Sequence, residues 1–168
     1  RLLDFIGRSR RQQMELAEEF NVQNYPCPSG GCLLTDKIFS KKVRDLLKHK
    51  QDITTKDLYT LKAGRHFRVN EKTKIVIGRN EQDNIKLKNL MQVDNILIEP
   101  LNFPGPTALI DGNIDEDVIN MAGRMILWYA GEKANVNSKL KVIRKKEISV
   151  LTVDTSIDTE TMERMRIC

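Results

Sequence analysis

The chain has 168 residues, 40% of them hydrophobic and 30% charged, with a formal net charge of +5. That is enough apolar material for a domain of ordinary size and too much for a wholly disordered chain. No apolar run nears the roughly 18 residues of a membrane helix, and three cysteines with two histidines exclude a disulfide scaffold and zinc-finger spacing.

The chain opens with Arg1 and has no apolar leader, so it reads as a fragment of a longer protein. Ser9–Phe20 has helical spacing, with Ser9 as its cap and Met14, Leu16, Ala17 and Phe20 as its apolar residues. Tyr25–Gly31 breaks regular structure with two prolines and two glycines. Ile38–Lys48 is the next helix; Phe39, Val43, Leu46 and Leu47 form its stripe, with Lys42 at the edge. Thr54 or Thr55 caps a short helix through Leu61, which Gly64 ends. The period then changes to two. Phe67 and Val69 alternate with His66 and Arg68, and Ile75 and Ile77 with Lys74 and Val76, around a turn at Asn70–Lys72, which predicts a β-hairpin. Gly78 stops the second strand, and Asn80 caps a short helix carrying Ile85, Leu87 and Leu90. Strands follow at Asn95–Ile98 and Thr107–Ile110, on either side of a turn at Asn102–Pro106. Asp115–Ala130 is a helix whose three opening acids suit the positive end of its dipole. Leu140–Arg144 and Ile148–Val153 make a last hairpin, and the tail from Asp154 carries weak structure signals. The composition changes near residues 50–60, from helices with a Gly/Pro loop to a mixed, β-rich unit.

Charge is segregated along the chain. Residues 37–88 hold 15 Lys and Arg against 6 Asp and Glu, and residues 89–131 hold 1 against 6. Residues 132–150 return to 6 against 2, and the last 18 residues hold 2 against 4. Such a chain can present a basic surface to a polyanion. Arg65, Arg68, Lys72, Lys74 and Arg79 sit on or beside the first hairpin, and Lys141, Arg144, Lys145 and Lys146 on the last. If the hairpins lie side by side, their cations form one phosphate-binding strip. Arg79 and Asn80, after Gly78, are the candidates for specific polar contacts. His66 reads as a packed strand residue, and Phe103 and Trp128 as core aromatics that could otherwise stack on bases.

Cys27-Pro-Ser-Gly-Gly-Cys32 is the place where covalent chemistry is plausible. Glycines let backbone N–H groups approach an anion, and such groups or nearby cations lower a thiol pKa. The spacing also permits a disulfide or a shared metal, although two cysteines do not complete a zinc site. Cys32, followed by Leu33 and Leu34, also reads as a small buried hydrophobe.

Two resemblances bear on these segments. Gly7–Phe20, then Ser29-Gly-Gly-Cys-Leu-Leu-Thr-Asp36, Phe39 and Arg44-Asp-Leu-Leu47, resemble the late part of the ATP-using domain of PP-loop tRNA thiolation enzymes, the tRNA 2-thiouridylase group. The resemblance covers roughly residues 7–48 and implies that Cys32 carries sulfur as a persulfide, with Cys27 a weaker candidate. The group's Ser-Gly-Gly-x-Asp-Ser signature for ATP does not occur here. ATP and Mg are therefore expected of an upstream domain, and this chain alone would be inactive. Lys74-Ile-Val-Ile-Gly-Arg-Asn-Glu-Gln-Asp-Asn84 resembles the opening motif of the NFACT-R RNA-binding domain. Leu97–Pro100, Phe103–Ile110, Asp115–Ala130 and Lys139–Val150 follow in that family's order. The chain departs from the family at Ile96–Pro100, where a tryptophan and a histidine are usual.

The resulting expectation is an α+β chain: residues 1–52 as the remnant of a PP-loop domain, 60–153 as an NFACT-R-like module, and 154–168 as a polar tail. Its function would be to bind tRNA or another structured RNA within a cytoplasmic thiouridine-forming protein, without a membrane anchor or a cofactor of its own. Its other partners would be the upstream PP-loop domain and a sulfur-donor protein. The alternatives are a non-catalytic RNA-binding module, or a protein-interaction domain using the acidic helix Asp115–Ala130 and the acidic tail.

Overall fold

The computed structural model describes residues 11–22, 33–134, 137–145 and 147–167. Cys27, Cys32 and Lys146 lie outside the described residues, as does Ser9. The chain divides into two units after Asp36.

In the first unit, helix α1 (Arg11–Glu19) buries none of its residues. It ends where Asn21 turns left-handed at φ 55°, so that Val22 N–H reaches Ala17 O and Asn21 N–H reaches Glu18 O. A single 3-10 turn follows at Leu33–Thr35.

The second unit is a six-stranded antiparallel sheet with helices on both faces. Its elements are α2 (Lys37–His49), α3 (Thr55–Thr60), β1 (Arg65–Asn70), β2 (Thr73–Ile77), α4 (Glu81–Leu90), β3 (Ile96–Pro100), β4 (Ala108–Gly112), α5 (Glu116–Ala130), β5 (Ser138–Arg144), β6 (Glu147–Val153) and α6 (Thr159–Met165). Local chemistry sets most of the ends. Thr54 and Asp57 form a reciprocal capping box at α3. Asn80 and Asp115 accept backbone N–H groups at the starts of α4 and α5.

The strands run in the order β1-β2-β4-β3-β5-β6. Alternation divides their side chains between two layers. Phe67, Ile75, Ile77, Ile96, Ile98, Ile110 and Leu140 pack under α5, whose Val118, Ala122, Met125 and Ile126 complete the main core. On the other face, Val76, Leu97 and Leu109 pack with Leu87 of α4 and with Ala63. Helix α2 joins that face. Its Asp45 pairs with Arg68 of β1, and its Lys42 Nζ donates to Leu61 O and Gly64 O. Lys42 is thus buried, while Leu47, assigned to the apolar stripe, is 63% exposed.

Two expectations need correction. The hairpins do not lie side by side. β4 and β3 stand between β2 and β5, three strand spacings or about 14 Å apart. The tail, read as weakly structured, forms α6. Asp158 caps it, and Ile157 and Met162 are buried. Ile167 N–H then reaches His66 O at 3.0 Å and covers the outer edge of β1. Four apolar residues around one short helix, Ile157, Met162, Met165 and Ile167, carry no legible period; docking on β1 supplies the order that propensity does not.

His66 is fully buried, with Nε2 2.8 Å from Ala63 O and no hydrogen-bond partner at Nδ1 among the described residues. Burial, then the charges of Lys74 and Lys42, push its pKa well below 6.5. The unfolded chain therefore takes up this proton first. Its contribution to stability is full above about pH 6.5 and is lost as the pH falls below it. Urea midpoints should drop between pH 7 and pH 5.5, and His66→Phe should flatten that segment of the profile.

Candidate nucleic-acid interface

Segment Gly78–Asn84 turns the chain from β2 into α4. Gly78 lies so close to α4 that a Cβ there would stand 2.0 Å from Asn84 Oδ1. That oxygen accepts Thr107 N–H at 3.0 Å, and Gly78 N–H reaches Thr107 O at 2.9 Å. The start of α4 is thereby tied to the start of β4. Asp83 is buried and accepts from Gly64 N–H at 3.1 Å, Arg79 N–H at 3.3 Å and Arg79 Nε at 2.6 Å. Burial alone would raise the Asp83 pKa; the Arg79 side-chain bond and the two backbone donors outweigh it and hold the carboxylate ionised. Gly64 has φ +69° and sits against Ile77 O, where a side chain would clash, so glycine is required at this approach.

These ties shape a cavity of ≈ 340 Å³ at the end of the sheet. Arg65, Arg79, Lys133, Asn80, Tyr129 and the Pro104–Pro106 loop line it. Arg65 sits over the Tyr129 ring, its Cζ 4.5 Å from the centroid, and donates Nη1 to Gly78 O at 3.3 Å. These contacts fix the guanidinium, and a fixed guanidinium suits phosphate or a base face. Arg79 spends Nε on Asp83 yet keeps 48% of its side chain exposed. Glu81 is the acidic member of the lining and the buried Asp83 pairs with Arg79, so three cations meet two carboxylates beside the N-terminus of α4 and one positive charge is left over. This is a site for an anion.

The sequence-predicted cations separate into groups. Arg65, Arg79 and Asn80 meet at this cavity, with Asn80 committed as the α4 cap. Arg68 and Lys74 turn inward to Asp45, at 2.5 Å and 3.6 Å. Burial pushes the Lys74 pKa down to about 8, against the pull of Asp45. Lys72 lies in the β1–β2 turn at the far end of the sheet. So do Arg144 and Lys145, in a groove of ≈ 1450 Å³ where they and Lys88 face Asp94, Asp115 and Glu147. There the charges cancel, which favours the smaller cavity as the anion site. Lys141, mid-strand in β5, stands opposite Glu99. Trp128 packs at the core edge, 4.8 Å from Tyr129. Lys133 and Tyr129 were not selected from sequence. They lie at the end of α5, about 50 residues from Arg79, and carry no motif of their own. Among the described residues, no three His, Cys, Asp or Glu side chains come together to hold a metal ion.

A family model for the NFACT protein RNA-binding domain matches residues 64–165. The chain belongs to this family. The NFACT match spans β1 through α6, so it contains every residue of the cationic cavity. The fold is similar to a solved structure described as the C-terminal of the fibronectin/fibrinogen-binding protein from Streptococcus suis, with TM-score 0.50 and 13% identity. That similarity covers 76% of this chain and 61% of the other, so the chain spans about three fifths of that structure. No curated protein sequence matches the chain. The tail forming α6 falls largely inside the NFACT match, and the segment 7–48 falls outside it.

Proposed function

We propose that this NFACT domain binds tRNA or another structured RNA, and that it holds an RNA phosphate in the cavity formed by Arg65, Arg79 and Lys133. The observation that carries the reading is the excess of cations around a pre-shaped cavity, within a domain of an RNA-binding family. Arg65 is immobilised by Tyr129 and Arg79 by Asp83, so little side-chain freedom is lost when an anion binds. Each phosphate neutralised releases counterions, and affinity should fall steeply with salt. A titration of labelled tRNA by fluorescence anisotropy at several salt concentrations tests this. Affinity indifferent to salt would remove the phosphate model.

The finer reading places the domain in a tRNA-thiolating protein. Its support is the resemblance of residues 7–48 to PP-loop enzymes. The domain would hold the tRNA while a Cys32 persulfide passes sulfur to an activated uridine. In the full-length protein with tRNA, ATP and a sulfur donor, Cys32→Ser should abolish thiouridine formation and leave tRNA affinity unchanged. Thiouridine formation by that variant would sink this part alone.

A further inference from the structure

The two edges of the sheet are finished differently. The end of the chain covers β1: Phe67 bridges Arg166, and Ile167 N–H reaches His66 O at 3.0 Å. β6 ends the strand order on the other side, and among the described residues of this unit nothing pairs with its outer edge. The ladder decides which backbone groups stay open. Lys139 O accepts Leu101 N–H, so Lys139 turns its backbone towards β3. Alternation then turns Leu140, Val142 and Arg144 towards β6, where they pair with Leu151, Ser149 and Glu147. The N–H and C=O groups of Ile148, Val150 and Thr152 therefore point outward, past the last strand. Their side chains share one face of the sheet, with Ile148 62% and Val150 58% exposed. Edge strands are ordinarily guarded by lysine, proline or a bulge. β6 has neither lysine nor proline, and its register with β5 is unbroken from the Ser138–Val153 pair to the Arg144–Glu147 pair. Such an edge is a template for another strand.

We infer that β6 pairs antiparallel with β6 of a second copy of this chain, about a two-fold axis at Val150, so that the two sheets become one. In that register the strand is complementary to itself. Val150 lies opposite the second copy's Val150 and Ile148 opposite the copy's Thr152, so outward backbone groups meet outward groups. Ser149 lies opposite the copy's Leu151. Glu147, the strand's one charged residue, lies opposite the copy's Val153, and no like charges meet. The remaining charges stand just beyond the two ends of the strand and have opposite signs. Lys145, exposed in the turn, comes beside the second copy's Asp154, which is also exposed, and the axis repeats the pair. Asp154 Oδ1 accepts Asn137 N–H at 3.2 Å, which holds the carboxylate and leaves Oδ2 for the lysine. An axis at Ile148 or Thr152 would keep the backbone match but shorten the overlap and part Lys145 from Asp154.

Sedimentation equilibrium of the chain, from micromolar to submillimolar concentration, tests this pairing. The wild-type mass should rise to that of a dimer. Val150→Lys and Val150→Glu each set like charges against each other at the axis, so each alone should stay monomeric. An equimolar mixture of the two should regain the dimer, because lysine then faces glutamate; that recovery also shows that both variants are folded. Lys145→Asp should weaken the dimer, and Lys145→Asp combined with Asp154→Lys should restore it. A wild-type chain that stays monomeric throughout would overturn the inference and leave the edge to a strand of a different protein. A dimer that persists in Val150→Lys, or a mixture of the two Val150 variants that stays monomeric, would overturn it too.

Discussion

Replacing Asp45 with alanine is expected to destabilise the 37–168 unit by about 3 kcal/mol, lowering its melting temperature by roughly 10 °C. Asp45 is the common counter-charge of a partly buried cluster. Arg68 approaches it through Nε at 3.0 Å and Nη2 at 2.5 Å, and Lys74 Nζ lies 3.6 Å away. The side chains of Asp45 and Lys74 are 10% and 9% exposed, so water replaces little of what the carboxylate supplies. Removing one member of such a cluster leaves like charges facing each other without compensation. Lys74 is already close to losing its proton, its pKa lowered to about 8 by burial. Without Asp45 it should become neutral at pH 7, which limits the cost and keeps the loss near the low end for a buried pair. The wild-type cluster should also respond to acid. Burial would raise the Asp45 pKa, but the Arg68 hydrogen bonds and the charges of Lys74 and Arg68 hold it below 3.8. A lowered carboxylate pKa contributes stability that is present above about pH 4 and is lost as the pH falls through the folded value. Urea unfolding at pH 7 and pH 3 checks both statements. Wild type should lose midpoint at pH 3, and Asp45→Ala should lose less, keeping the part of the loss that His66, Asp57 and Asp83 contribute. An Asp45→Ala protein as stable as wild type at pH 7 would show that the cluster contributes nothing.

The double variant Arg65→Gln, Lys133→Gln should weaken tRNA binding roughly 10- to 100-fold near 0.15 M salt. It removes two of the three cations around the anion cavity and spares Arg79, whose loss would leave the buried Asp83 unpaired. Loss of the Arg65–Tyr129 stack should cost the fold only about 0.5–1 kcal/mol. Because the three cations share one phosphate, the salt slope should fall by no more than about 0.7 to 0.9, the worth of a single phosphate contact. The control is Arg144→Gln, Lys145→Gln, which removes the same charge from the opposite end of the sheet, where acids already balance it. Equal losses in both doubles would mean that net charge, and not this cavity, governs binding.

Much of the unit is legible in short stretches of chain. Thr54 with Asp57, Asn80 with Asp83, and Asp115 with Val118 each act across three residues, so a four-residue window displays the whole interaction. Gly78-Arg79-Asn80 is legible for the same reason, and it does form one wall of the cavity. The opposite wall comes from Pro104–Pro106 and from the end of α5, which no local pattern joins to Arg79. Lys74 illustrates the converse. In sequence it is an exposed cation alternating with apolar strand residues. In the fold it lies beneath α2, beside a carboxylate 29 residues earlier in the chain.

Alternation, capping residues and turn chemistry therefore specify where helices and hairpins begin and end, because those effects operate between near neighbours. Strand order is a different kind of fact: it follows from which apolar faces bury one another, and it set two strands between hairpins that had been expected to touch. With that order came the division of the cations. Arg68 and Lys74 went to an internal counter-charge, Arg144 and Lys145 to a balanced groove, and Arg65 and Arg79 to a site with charge to spare. Composition counts charges equally; only packing decides which are neutralised by the protein and which are left for a ligand.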